Sequence, residues 1–135
     1  MMNSTEFQPL ALRLLNARGW DNKMRMLVLA SKQLPTLDTH LRVNDTLVKG
    51  CDSDVWLDCK DTEPTILYMA YSPSKVIRGV LAIILEQTNQ LTPEAVVAFN
   101  FDEFCEKLAL SRFLSQSRGN GLRKVIQRIK LLAER

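Results

Sequence analysis

The spacing of apolar residues predicts two short helices in the first quarter of the chain. Four leucines fall within the segment 7–17, which ends shortly before Gly19. Over the segment 20–33, Met24, Leu27 and Val28 recur at the helical spacing of three and four residues. This second helix is expected to end at Leu34, because the residue before a proline is pushed out of the helical region.

The middle of the chain alternates turn-forming and strand-forming segments. Residues 54–60 and 65–71 are rich in strand-forming side chains and are separated by the four residues from Asp61 to Pro64. Two such segments joined by a short polar turn predict an antiparallel hairpin. The segment 46–48 lies in an otherwise polar stretch and is a candidate for a further strand. The pattern therefore predicts a small sheet of about three strands.

The second half of the chain is predicted to be helical. Ser72 and Pro73 are interpreted as an N-cap and a first-position proline that open a long helix over 74–88, and its nearly continuous apolar residues indicate burial. Thr92 opens a short helix in the same way, and Asn100 is expected to cap a third one. A final amphipathic helix has an apolar side made of Val125, Ile126, Ile129, Leu132 and Ala133. The order of elements predicts one α+β domain over 1–135, with the sheet packed against a layer of helices.

The composition narrows the class of protein. With 46% hydrophobic and 24% charged residues, the 135-residue chain is typical of a globular domain, which excludes low-complexity architectures. The most apolar stretch, 76–85, has about half the length that a membrane-spanning helix needs. The first residues carry no secretory or organelle-targeting pattern, so a cytoplasmic location is expected. The three cysteines are an odd and sparse set, which predicts reduced thiols rather than a disulfide framework.

The charges are unevenly distributed, although they sum to only +3. Residues 36–63 contain seven acidic and three basic side chains, whereas residues 111–135 contain seven basic and one acidic side chain. The basic segment fits a solvated helix face, but it could also steer a partner or bind a phosphate. A nucleic-acid binder is therefore one hypothesis, and it predicts an affinity that falls steeply with salt. Its contacts would be Arg118, Arg123, Lys124, Arg128 and Lys130.

Several kinds of catalytic or metal site are poorly supported. His40 is the only histidine and the chain contains no C-x-x-C pair, so a metal site is not expected. A cysteine hydrolase would require that one histidine to activate a thiol, without a recognisable third residue. Gly119 and Gly121 precede a helix, but neither dinucleotide nor Walker spacing is met. Cys105 lies among apolar residues of a predicted helix and is interpreted as a small core residue.

Cys51 lies in a segment, 49–54, whose composition is typical of a turn. Gly50 removes a side chain beside the sulfur, which helps another molecule to approach. A loop thiol without a role and a thiol that reaches a partner both fit this position. Lys49 favours the thiolate, whereas Asp52 and Asp54 oppose it, so a very low thiol pKa is not expected. A moderately basic thiol is the better nucleophile per thiolate, which suits an acceptor of sulfur.

The segment from Gly50 to Trp56 resembles the G-C-x-S-x-V-W signature of the SufE family, the sulfur acceptors that assist cysteine desulfurases. Further landmarks of that family have similar counterparts in order along about a hundred residues: Trp20-Asp21-Asn22-Lys23, Leu34-Pro35-Thr36-Leu37, Arg78-Gly79-Val80-Leu81-Ala82, Leu91-Thr92-Pro93 and Ser117-Arg118-Gly119-Asn120-Gly121-Leu122. The chain departs from the pattern at Tyr71-Ser72, where the family often has an acidic residue.

This resemblance implies a SufE/NifU-like α+β fold in which Cys51 is the sulfur-carrying thiol. A desulfurase of the Suf or Csd type, with its own pyridoxal phosphate, would form a persulfide whose terminal sulfur Cys51 attacks. The sulfur would then pass to an iron–sulfur scaffold or another acceptor, and this chain itself would need no cofactor. Around Cys51, a supporting role is implied for Gly50, Asp52, Ser53 and Asp54. Arg118 would support the loop or touch the desulfurase.

Other expectations concern packing and assembly. The hypothesis that competes with sulfur carriage is a module that docks on a desulfurase and regulates it, and a homodimer is left open. At rest, the Cys51 sulfur is expected to face an apolar recess between the sheet and the helices. Trp20 and Trp56 are expected in the core or its wall, since aromatic side chains bury large areas. Gly79 is expected to permit close packing of two helices.

Overall fold

The computed structural model of the protein describes residues 7–49, 54–113 and 116–134, with side chains of 116–120 excluded. Six α-helices lie in these ranges, joined by short 3₁₀ turns at Ser31–Gln33, Thr39–Leu41 and Leu110–Phe113. The helices are α1 Pro9–Asn16, α2 Trp20–Ala30, α3 Lys75–Thr88, α4 Pro93–Ala98, α5 Phe101–Lys107 and α6 Gln116–Ala133. Between α2 and α3 lie two strands, β1 Trp56–Asp61 and β2 Ile66–Tyr71.

The two strands form the predicted antiparallel hairpin. Trp56 pairs with Tyr71 at one end, and Asp61 pairs with Ile66 beside the turn. On the outer side of β2, Thr36 forms an isolated parallel bridge to Ala70, whereas Leu47 forms an isolated antiparallel bridge to Trp56 on the outer side of β1. Both edges of the hairpin are thereby partly covered by neighbouring segments, which blunts their tendency to pair with another chain.

The prediction of a third strand over 46–48 is wrong for the described residues, because that segment makes a single bridge and no ladder. The α+β class and the layering are confirmed. α3 packs against α2, β2 and α1, while α6 packs against α4 and β1. None of the helices in the described ranges is long and apolar enough to cross a membrane.

The core is centred on α3, as its apolar pattern predicted. Every residue from Gly79 to Leu85 is buried, and so are three alternate residues of β2, Ile66, Tyr68 and Ala70. The Tyr68 hydroxyl donates a hydrogen bond of 2.9 Å to the backbone carbonyl of Ile129 in α6. This bond ties the sheet to the last helix across the core.

The N-cap of α3 lies two residues later than predicted. Ser74, not Ser72, is the N-cap, and its hydroxyl accepts a hydrogen bond of 3.3 Å from the Ile77 amide. Pro73 therefore precedes the cap instead of occupying the first helical position. Ser72 is buried, and its hydroxyl accepts from the Ser74 amide at 3.4 Å. The predicted caps Thr92 and Asn100 are confirmed, since each accepts a hydrogen bond from the amide three residues later.

The expectation for Gly79 is confirmed by the crossing of α2 and α3. A Cβ atom added at Gly79 would meet the backbone of Leu27, with the carbonyl oxygen nearest and the carbonyl carbon at 2.7 Å. Only glycine allows the two helix backbones to approach this closely. The expectation for Trp20 is wrong. It is the first residue of α2, is 52% exposed, and stacks on Phe113 with ring centroids 5.0 Å apart.

Candidate functional site

Two buried valines, Val48 and Val55, flank the segment that contains Cys51 in the sequence. The Val48 amide donates a hydrogen bond of 2.7 Å to the Val55 carbonyl. These valines are 3% and 2% exposed, respectively, whereas Lys49 and Asp54 on the outer side are exposed. Val48 and Val55, the residues on either side of the segment, are therefore held beside β1.

Most of the predicted site residues lie outside the described residues. These are Gly50, Cys51, Asp52 and Ser53, and the expected recess for the Cys51 sulfur lies outside them too. Asp54 is described, is exposed and precedes the buried Val55. Arg118 lies in α6, and its side chain is not described. The structure thus places the boundaries of the predicted site without placing the sulfur.

The turn that precedes Val48 is held by a buried hydroxyl and by α6. The Thr46 hydroxyl donates to the Leu41 carbonyl at 2.6 Å and accepts from the Val43 amide at 3.2 Å. From α6, Arg128 donates to the Leu47 carbonyl at 3.2 Å. The sequence predicted Arg128 only as part of the basic face of the last helix, because no local signal links it to a turn 81 residues earlier. One basic residue of α6, Arg128, thus holds the turn that precedes Val48.

An aromatic pair marks the end of the hairpin nearest to these valines. Trp56 and Tyr71 are cross-strand partners, and their ring centroids lie 6.3 Å apart. The guanidinium carbon of Arg42 lies 3.6 Å from the centroid of the Tyr71 ring, and that of Arg78 lies 5.4 Å from it. Both distances are within the range of cation–π attraction. The prediction that Trp56 forms a wall agrees with its partial burial.

The two described cysteines are partly buried, and neither lies on an exposed loop. Cys105 packs against the core from α5, and burial, with a smaller effect of Asp102, raises the pKa of its thiol to about 12. At neutral pH such a thiol holds almost no thiolate, so it is a poor nucleophile. Cys105 therefore lies at the edge of the core, half-buried, rather than within the core as the sequence predicted. Cys59 lies within β1 and also packs against the core.

The described residues offer no site for a metal ion. His40 is exposed in a 3₁₀ turn. No three histidine, cysteine, aspartate or glutamate side chains come together anywhere in 7–49, 54–113 or 116–134.

Two comparisons with known proteins bear on this arrangement. A family model described as "SufE: Fe-S metabolism associated domain" matches residues 8–133 of the 135. The solution structure of a hypothetical protein from Thermus thermophilus is similar with a TM-score of 0.74. Its sequence identity is 16%, and the match covers 92% of this chain and 90% of that one. At this identity the structural likeness establishes the fold alone.

Proposed function

The chain belongs to the SufE family, a domain associated with iron–sulfur metabolism, and we propose that it is a sulfur acceptor acting through Cys51. It takes sulfur from the persulfide of a pyridoxal-phosphate-dependent cysteine desulfurase, increases the turnover of that enzyme, and delivers the sulfur for iron–sulfur cluster assembly. The observation that carries the proposal is the match of the family model across the Cys51 segment, together with the fixed valine pair that bounds it.

The transfer is a thiol–persulfide exchange. The Cys51 thiol loses its proton to solvent, and the thiolate attacks the terminal sulfur of the desulfurase persulfide. A new sulfur–sulfur bond forms on Cys51 while the bond to the desulfurase cysteine breaks. That cysteine leaves as a thiolate and is reprotonated. One sulfur atom changes carrier without net oxidation or reduction, so the step needs no cofactor on this chain.

The fixed ends of the segment support this role. Cys51 is three residues along the chain from Val48 and four from Val55, and these valines are hydrogen-bonded and buried. A carrier thiol needs a defined location as well as access, since both the donor and the acceptor must find it. The proposal assigns Gly50, Asp52, Ser53 and Asp54 to the support of the segment.

The environments of Cys59 and Cys105 support the assignment of sulfur transfer to Cys51. Cys105 has a pKa of about 12 and is partly buried, so it competes poorly for persulfide sulfur. Cys59 lies within β1 opposite the fully buried Tyr68 and packs half-buried against the core, so it lacks the freedom of a loop thiol to reach a partner.

Intact mass spectrometry after incubation with a desulfurase and L-cysteine tests the proposal. The wild type should gain one sulfur atom that a reducing thiol removes, and Cys51→Ser should gain none. Cys59→Ser and Cys105→Ser are matched controls that should load like the wild type. Sulfur that remains on Cys51→Ser and is lost from another variant would refute the assignment. If no variant loads, while the protein binds the desulfurase and alters its turnover, the protein is a docking module.

Arg118 is proposed to support the Cys51 segment or to contact the desulfurase. Arg118→Ala should slow loading of Cys51, whereas Arg112→Ala, a loss of the same charge at an exposed site, should not. Equal loading rates for the two variants would contradict a role for Arg118.

A further inference from the structure

Two arginines from distant segments share the ring of Tyr71. Arg42 follows a 3₁₀ turn before the Cys51 segment, and Arg78 lies in the first turns of α3. Their guanidinium carbons lie 3.6 and 5.4 Å from the same ring centroid. They are therefore no more than about 9 Å from each other. Both arginines are half-buried.

Backbone carbonyls hold both guanidinium groups in place. The Arg42 Nε donates to the Leu37 carbonyl at 2.9 Å. One terminal nitrogen of Arg78 donates to the Ser72 carbonyl at 2.7 Å and to the Pro73 carbonyl at 3.2 Å. For their other N–H groups, the described residues provide no hydrogen-bond acceptor. Side chains that are already oriented lose little conformational entropy when they bind a ligand.

The positive charge of this pair is not neutralised within the described part of the chain. Asp38 and Asp45 are the acidic residues nearest to Arg42 in sequence, and Glu86 is the nearest to Arg78. None of these three described carboxylates makes an ion pair with either arginine. Two cations at this separation repel each other, and an anion placed between their N–H groups would turn that repulsion into attraction.

The pair lies at the end of the hairpin that is next to Val48 and Val55, the valines that flank the Cys51 segment in the sequence. Tyr71 is the cross-strand partner of Trp56, which is bridged in turn to Leu47, and Val48 follows directly. A protein that docks over the Cys51 segment would therefore also meet the arginine pair.

We infer that Arg42 and Arg78, supported by Tyr71, form a carboxylate-binding site that receives an acidic side chain of the partner desulfurase. A guanidinium group binds a carboxylate through two parallel hydrogen bonds, which gives direction as well as attraction. The inference rests on the proposed function for the identity of the partner. It assigns to this pair the orientation of the partner relative to the cysteine, not the transfer of sulfur itself.

The test measures two dissociation constants for each variant. The first is for the desulfurase used in the loading assay, and the second is for a fluorescent hexaglutamate peptide, with hexaglutamine as its neutral counterpart. The variants are Arg42→Gln and Arg78→Gln, with Arg25→Gln as the matched control. Arg25 is exposed on α2 and its loss changes the net charge equally. Thermal unfolding of each variant establishes that it is folded.

Each site variant should bind the desulfurase about tenfold more weakly than the wild type at low salt, while Arg25→Gln should change little. The hexaglutamate peptide should show the same order, and hexaglutamine should not bind. Arg42→Lys should bind with intermediate strength, because an ammonium group keeps the charge but not the planar fork. Tyr71→Phe should behave like the wild type, whereas Tyr71→Leu removes the ring that supports both arginines and should weaken binding.

The outcomes separate the two proposals. If Cys51 loads with sulfur but the site variants bind both probes as tightly as Arg25→Gln does, the carboxylate site is refuted and the sulfur acceptor stands. Equal weakening in all three arginine variants would mean attraction by net charge alone, which also refutes the site. If Cys51 does not load, the peptide series still decides whether the arginine pair binds carboxylates.

Discussion

Replacement of Gly79 by alanine tests the closest helix contact in the fold. An added Cβ atom would lie 2.7 Å from the Leu27 carbonyl carbon and still closer to its oxygen, whereas ordinary contacts begin at 3.4 Å. The obstacle is backbone, so no side-chain rotation can relieve it. α2 and α3 must separate by about 1 Å, a gap that forfeits a quarter to a half of the dispersion attraction across it.

The expected loss of stability follows from two opposing effects. Alanine favours a helix over glycine by about 1 kcal/mol, which stabilises the variant. Overpacking of a core costs about 1–3 kcal/mol, occasionally more, and a backbone obstacle belongs at the upper end. A net destabilisation of about 2 kcal/mol is expected, because the cost of displacing the contact at the fully buried Leu27 exceeds the helix preference of alanine. In a domain of this size, the midpoint of thermal unfolding should fall by about 10 °C.

Urea unfolding followed by far-ultraviolet circular dichroism measures this change. The dependence of the unfolding free energy on urea should stay constant, so that the shift in midpoint reports stability. Lys75→Ala is the control, because this exposed residue of the same helix should change stability by less than about 0.5 kcal/mol. A Gly79→Ala variant as stable as the wild type would refute the close approach of α2 and α3.

Three further changes probe contacts that hold the sheet and the first helix. Tyr68→Phe removes the hydrogen bond to Ile129 and should destabilise the protein by about 1 kcal/mol in urea unfolding, with Tyr71→Phe as a neutral control. Asn89→Ala should cost about 2 kcal/mol, because its amide bonds both backbone groups of Tyr68; Asn89→Asp, which keeps the acceptor, should lose less. The Glu86 carboxylate accepts hydrogen bonds from the Leu10 amide in the first turn of α1, and burial raises its pKa above the ordinary value of 4.5. The stability that Glu86 contributes is therefore fully present below pH 4.5 and is lost as the pH rises through the raised pKa of the folded protein. Glu86→Gln should remove that part of the pH dependence in denaturation curves recorded from pH 4 to 8; unchanged curves would contradict the assignment.

The parts of the fold that the sequence predicted are those with a local cause. The periodicity of 20–33 and 74–88 predicted α2 and α3, and Pro93 placed the start of α4. The α-helix of α2 ends at Ala30, three residues before the predicted end, and passes into the 3₁₀ turn Ser31–Gln33. Composition alone identified the hairpin and its turn. Each of these signals spans fewer than about fifteen residues and survives in the folded chain because the tertiary contacts agree with it.

The errors arose where a tertiary contact decided between local alternatives. Ser72 and Ser74 are equally good caps in the sequence. In the structure Ser72 is buried and its carbonyl accepts a hydrogen bond from Arg78, while Ser74 caps the helix. The segment 46–48 has the composition of a strand, but its Thr46 hydroxyl and the Arg128 guanidinium hold it as a turn with one bridge. The contact between Arg128 and Leu47 joins residues 81 positions apart, so no local window of the sequence contains both partners.

The candidate site likewise combines a feature with a local sequence signal and a feature that depends on tertiary contacts. Cys51 could be nominated from its turn-like segment and from the resemblance of residues 50–56 to a family signature, because both signals are local. The arginine pair could not, since Arg42, Tyr71 and Arg78 come together only when the end of β2 meets the segment before Val48. The residue proposed to carry sulfur can thus be predicted from the sequence, whereas the residues proposed to orient its partner depend on the fold. Transfer and orientation should therefore separate experimentally: Cys51→Ser should bind the desulfurase normally, and Arg42→Gln should accept sulfur normally once the desulfurase is saturating.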